Sequence, residues 1–136
     1  MRRIRCAIVL MCAICSSAVA AKQMYLTDAI KNPSYLRSLT GLLKNAGKLP
    51  NWTRQVLKTS GDYVGTPVAY STVDGIGYEL FYACKPHDCA DNAMELMFAP
   101  NGTKAWAAMV EDGSSVTYLG APSPEQQAVL RQAFQK

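Results

Sequence analysis

Two hydrophobic periods divide the chain. Up to about Gly61 the apolar positions recur every three or four residues, and from Tyr63 onward they alternate. In the first part, Asn32-Pro33 sets a capping side chain ahead of a proline at the first helical position. Tyr35, Leu36, Leu39, Leu42, Leu43 and Ala46 then form one stripe, which Gly47 can end in the left-handed conformation. This pattern predicts an amphipathic helix from Pro33 to about Ala46. A weaker helical pattern runs over 22–31. Leu49-Pro50-Asn51-Trp52 breaks the long helix, and Trp52, Val56 and Leu57 predict a further short helical turn that contributes to the core.

In the second part, residues 66–73, 76–84, 93–99, 104–110 and 116–119 read as strands. Asp74-Gly75, the 84–92 connection, Pro100-Asn101-Gly102 and Asp112-Gly113 separate them. Five strands with short links predict an antiparallel meander. Tyr78, Leu80 and Tyr82 share one face, as do Met94, Leu96 and Phe98 within their own strand and Trp106, Ala108 and Val110 within theirs. Yet the opposite positions of these strands, Phe81, Ala83, Met97 and Met109 among them, are apolar as well. Both faces should therefore be covered at least in part, by the early helices and by a last one. That last helix starts at Ser123-Pro124-Glu125-Gln126, a capping box, and docks through Val129, Leu130, Ala133 and Phe134. The expected fold class is α+β, a five-stranded antiparallel sheet packed with helices, in one domain over 21–136. There is no internal repeat, low-complexity tract or linker.

The ends change how charge and cysteine content are read. Arg2, Arg3 and Arg5 precede an apolar run from Cys6 to Ala18, and Ala18-Val19-Ala20 has the small-x-small pattern of a cleavage site. Residues 1–20 are expected to be a cleaved signal peptide, and the product a soluble periplasmic protein with no membrane segment. Cleavage removes three of the fourteen Lys and Arg residues and leaves ten acids, a net charge of about +1. A nucleic-acid partner, which needs a clustered basic face, has no support. Three of the five cysteines leave as well. Cys84 and Cys89 remain in an oxidising compartment, where a disulfide is the default expectation.

Cys84-Lys85-Pro86-His87-Asp88-Cys89 holds both remaining cysteines and the chain's one histidine, between two strands. A bridge there closes a hairpin connection, and Pro86 stiffens its centre. Four readings compete. A metal site lacks ligands, because two cysteines and one histidine in six residues cannot surround one ion and no second histidine exists. A catalytic thiol beside His87 needs a free cysteine. A thiol-exchange site usually has two residues between its cysteines and a helix beneath, whereas this run has four and a strand. The fourth reading is a plain structural staple. Against it stand Lys85, His87 and Asp88, ionisable groups on a rigid tip with nothing nearby to stabilise. The remaining carboxylates are scattered at turns and strand edges, and no Gly-x-Ser-x-Gly, phosphate loop or zinc-protease helix is present, so no enzyme is expected. No cofactor is expected either.

The run CKPHDC between two strands resembles the Ivy family, bacterial periplasmic inhibitors of vertebrate lysozyme. Lys48-Leu49-Pro50-x-Trp52, Tyr78 with Ala83 leading into Cys84, and the strand after the loop support the resemblance, which spans about residues 32–110. It implies a protruding disulfide loop that plugs the active-site cleft of C-type lysozyme. His87 would lie between the enzyme's two catalytic carboxylates, with Lys85, Pro86 and Asp88 as supporting contacts and Cys84 to Cys89 as the bridge. An imidazole can carry or shed its charge near neutral pH, which suits a site with one protonated and one ionised carboxyl. The family includes monomers and homodimers, and some members are proposed to restrain the cell's own lytic transglycosylases. With so small a net charge, local acids such as Asp88, Asp91 and Glu95 would have to complement a basic enzyme. Two other classes stay open. One is a peptidoglycan-binding module using Tyr70, Tyr82 and Trp106, and the other is an exported thiol-redox enzyme.

Overall fold

The computed structural model describes residues 20–135, so all of the expected signal peptide except Ala20 lies outside the described residues. The helical half comprises α1 (Leu26–Ala29), α2 (Pro33–Asn45) and a 3-10 helix (Asn51–Leu57). The sheet follows as β1 (Val64–Gly65), β2 (Ala69–Val73), β3 (Ile76–Cys84), β4 (Ala93–Phe98), β5 (Ala105–Val110) and β6 (Thr117–Leu119). Helix α3 (Pro124–Arg131) and a 3-10 turn (Gln132–Phe134) close the chain.

Local chemistry sets the helix boundaries. The Asn32 side chain accepts the Ser34 N–H at 2.9 Å, and Gly47 beyond the far end has φ +79°. At α3 the Ser123 hydroxyl accepts the Gln126 N–H at 3.2 Å, and the Gln126 side chain accepts the Ser123 N–H at 2.9 Å. The short turn predicted near Trp52 is the 3-10 helix, and the weak pattern before residue 32 yields α1 alone.

The strands run antiparallel in the order β1-β3-β4-β5-β6, with β2 also beside β3. The meander from β2 to β6 is as expected. The first edge differs: a single strand over 66–73 was expected, and two short pieces occupy that edge of β3 instead. Val64 and Gly65 pair with Cys84 and Ala83, while Ala69–Val73 pairs with Leu80–Ile76. Pro67 lies in the gap and has no N–H to give the ladder. The N–H of Val68 turns away to the Met24 carbonyl at 2.8 Å, so the segment before α1 takes the bond that β3 loses.

Both faces of the sheet are covered. On one, Phe81, Leu96, Phe98 and Ala107 pack against α1, α2 and the 3-10 helix. Tyr35 of α2 lies 5.1 Å from the Phe98 ring and donates to Glu79 at 2.6 Å. Its ring lies so close over Gly102 that any Cβ there would overlap it, which explains a glycine at a position with φ +67°. On the other face, Tyr78, Leu80, Met97 and Trp106 pack with Leu130 of α3. Within the α2 stripe Leu36 remains 36% exposed, because the stripe is wider than the strip of sheet that it meets.

The contrast between two apolar positions checks this packing. Phe81→Ala, at a site with no exposure, is expected to lower the unfolding free energy by about 3–5 kcal/mol, read from the urea midpoint. Leu36→Ala should lower it by less than about 1 kcal/mol.

Candidate functional site

The connection between β3 and β4 begins in the core. Cys84 is fully buried at the end of β3, opposite Ala93, the first residue of β4. It is bonded to Cys89, with the two Cα atoms 5.0 Å apart. The intervening chain is two tight turns in succession. The Asp88 N–H donates to the Lys85 carbonyl at 3.1 Å, and the Asn92 N–H donates to the Asp88 carbonyl at 2.9 Å. The Lys85 N–H closes the base onto the Asn92 carbonyl at 3.0 Å, and the Tyr82 hydroxyl donates to the Cys89 carbonyl at 3.3 Å.

The first turn carries the feature that matters most. Pro86 occupies its second position and His87 its third, where φ is +63°. A positive φ after a proline is the type II arrangement, which favours glycine or asparagine at that place. A histidine there is held in a strained conformation by the surrounding bonds, and such strain concentrates at functional sites. His87 is exposed at the tip.

Lys85 and Asp88 are not the free ionisable groups that the sequence reading assumed. The Lys85 ammonium lies 3.1 Å from Asp88 Oδ2, and the Asn92 side-chain amide donates to the same oxygen at 2.8 Å. Their hydrogen bonds, Lys85 first and then Asn92, hold the Asp88 carboxyl below the usual carboxylate range. A lowered value means that the pair persists through neutral pH and opens only as the solution becomes acid. His87 is left without a place in this network. Pro86 and Lys85 shape the turn, and of the six residues only His87 presents an uncommitted polar ring.

Asn92 is a residue that sequence reasoning missed. It is buried, and besides bonding Asp88 it donates to Asp112 Oδ1 at 3.3 Å and accepts the Asp112 N–H at 3.2 Å. The Gly113 N–H adds a bond to the Asp91 carbonyl at 3.0 Å. These bonds rivet the loop to the turn after β5, where Asp112 and Gly113 both have positive φ. The signal was an amide beside two turn sequences, but its partner lies twenty positions away.

Glu95 is the second missed feature, at least in its setting. It sits on β4, 7% exposed, and lines an open groove of about 450 Å³ with Tyr82, Leu80 and Val129. Burial pushes its carboxyl up to about 7, and no hydrogen bond from a neighbour offsets that. The three aromatics considered for glycan binding do not form one platform. Tyr70 pairs with Glu79 on the α2 side, whereas Tyr82 and Trp106 lie on the α3 side, and Trp106 is buried against Tyr78. Among the described residues no cluster of His, Cys, Asp or Glu could hold a metal ion.

Two variants check the site. Asn92→Ala is expected to cost about 1–3 kcal/mol of stability and to speed hydrogen exchange at the Asp112 and Gly113 amides, because it strands Asp88 and Asp112 together. For Glu95, the folded state keeps its proton to about pH 7, while the unfolded chain releases it near 4.5, the ordinary value. Stability should therefore fall as pH rises through that window. Glu95→Gln should remove the dependence, with a gain at pH 8 over pH 5 on the order of 2–3 kcal/mol, measured by urea unfolding at both values.

Known proteins are similar to this chain in sequence. The family model described as "Inhibitor of vertebrate lysozyme (Ivy)" matches residues 46–136, which include the whole loop, Asn92 and Glu95. A Pseudomonas aeruginosa protein named inhibitor of vertebrate lysozyme is 28% identical over 93 residues, covering 68% of this chain and 58% of that protein. An uncharacterised protein of Yersinia pestis is 27% identical over 123 residues, 82% of this chain and 77% of the relative. The chain thus spans a little over half of the Pseudomonas protein. Since the family match takes in the 3-10 helix, every strand, the bridged turn and α3, this chain belongs to the Ivy family.

Proposed function

We propose that the chain is an exported, periplasmic inhibitor of C-type lysozyme that acts by inserting the 84–89 loop into the enzyme's catalytic cleft. The observation that carries this reading is the division of roles within the loop. The bridge, the Lys85–Asp88 pair and Asn92 are committed to holding the turn, and His87 is left exposed at its tip in a strained conformation. A loop so constrained loses little conformational freedom on entering a cleft, and preorganisation of that kind raises affinity.

The chemistry of the partner fits a histidine. C-type lysozyme cleaves with one carboxyl held protonated and a second ionised. An imidazole between them can donate a hydrogen bond to one or both while its ring excludes water and sugar. Lys85 and Asp88 contribute by fixing the turn, and Pro86 by fixing the dihedral ahead of His87. The protein performs no reaction in this scheme; it occupies a site that another protein needs.

The test is lysis of a bacterial cell-wall suspension by C-type lysozyme in the presence of the mature protein. His87→Ala is expected to weaken inhibition roughly thirtyfold or more, the loss of a hot-spot residue worth about 2 kcal/mol. His87→Gly should weaken it equally while leaving stability within about 1 kcal/mol of wild type, because glycine accepts the positive φ without strain. Equal inhibition by wild type and both variants would remove His87 from the mechanism. No inhibition by any of them would overturn the reading.

A further inference from the structure

The groove over Glu95 has a chemistry that the loop mechanism leaves unused. Its base is the Glu95 carboxylate on the central strand, 7% exposed and with no hydrogen-bonding partner among the described residues. Its walls are apolar, from Leu80 on β3 and Val129 and Ala133 at the C-terminal end, and Thr66 and Gln132 supply polar groups at the sides. A carboxylate stripped of water and left unpaired is destabilising, and a charged donor seated against it recovers that loss.

Among the described residues no cation fills this role. Arg131, the basic residue at the end of α3, donates to the Tyr118 hydroxyl at 2.9 Å. Among the groups facing Glu95, Tyr82 is the titratable one; β5 offers Ala108 opposite it, and the last helix and turn offer Val129, Gln132 and Ala133. The shape limits the occupant further. A compact metal ion would find one carboxylate and no second acid, whereas an alkyl stem ending in an ammonium or guanidinium matches apolar walls above a negative base.

The groove also adjoins the loop. The Tyr82 ring lines the Glu95 groove and a second cavity of about 430 Å³ bordered by Cys89, Ala90 and Asp91. The Tyr82 hydroxyl is the group that bonds the Cys89 carbonyl. A protein seated on the loop therefore has the groove within the reach of a long side chain.

We propose that this groove receives a lysine or arginine side chain of the protein whose cleft the loop enters, with the charged head on Glu95 and the stem over Leu80 and Val129. This rests on the reading of the loop given above. Seating a cation favours ionised Glu95, so complex formation releases a proton where free Glu95 is still protonated, and binding tightens as pH rises toward 8.

Two experiments on the mature protein separate the groove from the loop. In the first, the Glu95 carboxyl is titrated by NMR with and without n-butylguanidinium as the probe. The expected result is a fall of about one unit in its midpoint, together with shifts of the Leu80 and Val129 methyls that Glu95→Gln abolishes. No change would overturn the inference. In the second, C-type lysozyme is titrated calorimetrically into wild type and Glu95→Gln at pH 6 and pH 8, in buffers of different ionisation enthalpy. The variant should bind about tenfold more weakly at pH 8, nearly as well as wild type at pH 6, and release fewer protons at pH 6. Protons moved by groups outside the groove are common to both proteins and cancel in the comparison. Equal affinity and equal proton release would overturn the inference while the loop reading stood. If wild type fails to bind lysozyme, both fall, and the probe titration reports only a general cation groove.

Discussion

A sheet covered on both faces leaves its middle strand no side open to water. In this chain that strand is β4, and each of its six residues, Ala93 to Phe98, is buried. It pairs with β3 on one side and β5 on the other, so its backbone groups are committed along its whole length. The connection that enters β4 thus starts from an immovable point. Cys84, opposite Ala93, is equally fixed, and a bridge from it to Cys89 ties the free part of the connection to the core within one residue of the ladder. Rigidity at the tip is inherited from burial at the base.

The polar groups of the loop extend that rigidity outward. Asn92, just before β4, uses both ends of its amide, toward Asp88 within the loop and toward Asp112 in the next turn. A single buried amide thereby couples two neighbouring connections. The bonds hold His87 at a positive φ that an unconstrained histidine would leave. Strain of this kind persists only where the surroundings over-determine the backbone, and here bridge, proline, ion pair and amide all do so.

The sequence made some of this visible and concealed the rest, for physical reasons. Helix α2, the Asp74-Gly75 hairpin and the capping box of α3 were legible because each is decided by residues within one or two turns of one another. The bridge was legible because only two cysteines lie outside the expected signal peptide. The split of the first edge strand was not, because it depends on Met24, forty-four positions from Val68, capturing an N–H. The pairing of Lys85 with Asp88 was open to view at three-residue spacing, yet it was read as exposed charge because a loop gives no period from which to infer direction. Asn92 and the groove over Glu95 required knowledge of which strands are neighbours.

Glu95 is the one charged residue in the buried strand β4. An alternating strand with a carboxylate in its centre would normally turn that position to solvent, but α3 and the turn after it cover most of that side. Glu95 remains because the covering layer is incomplete above it, between the last helix and the broken edge of β3. That placement bears on how the chain, whose net charge is about +1 without the expected signal peptide, would engage the basic partner proposed above. Long-range attraction is weak at such a charge, so association is not steered strongly. A partly desolvated carboxylate acts at close range instead, where the low dielectric strengthens its interaction with a seated cation and retards dissociation. Lys85 and Asp88 cannot do this, because they are paired and neutralise one another in water; a charge withheld from solvent can.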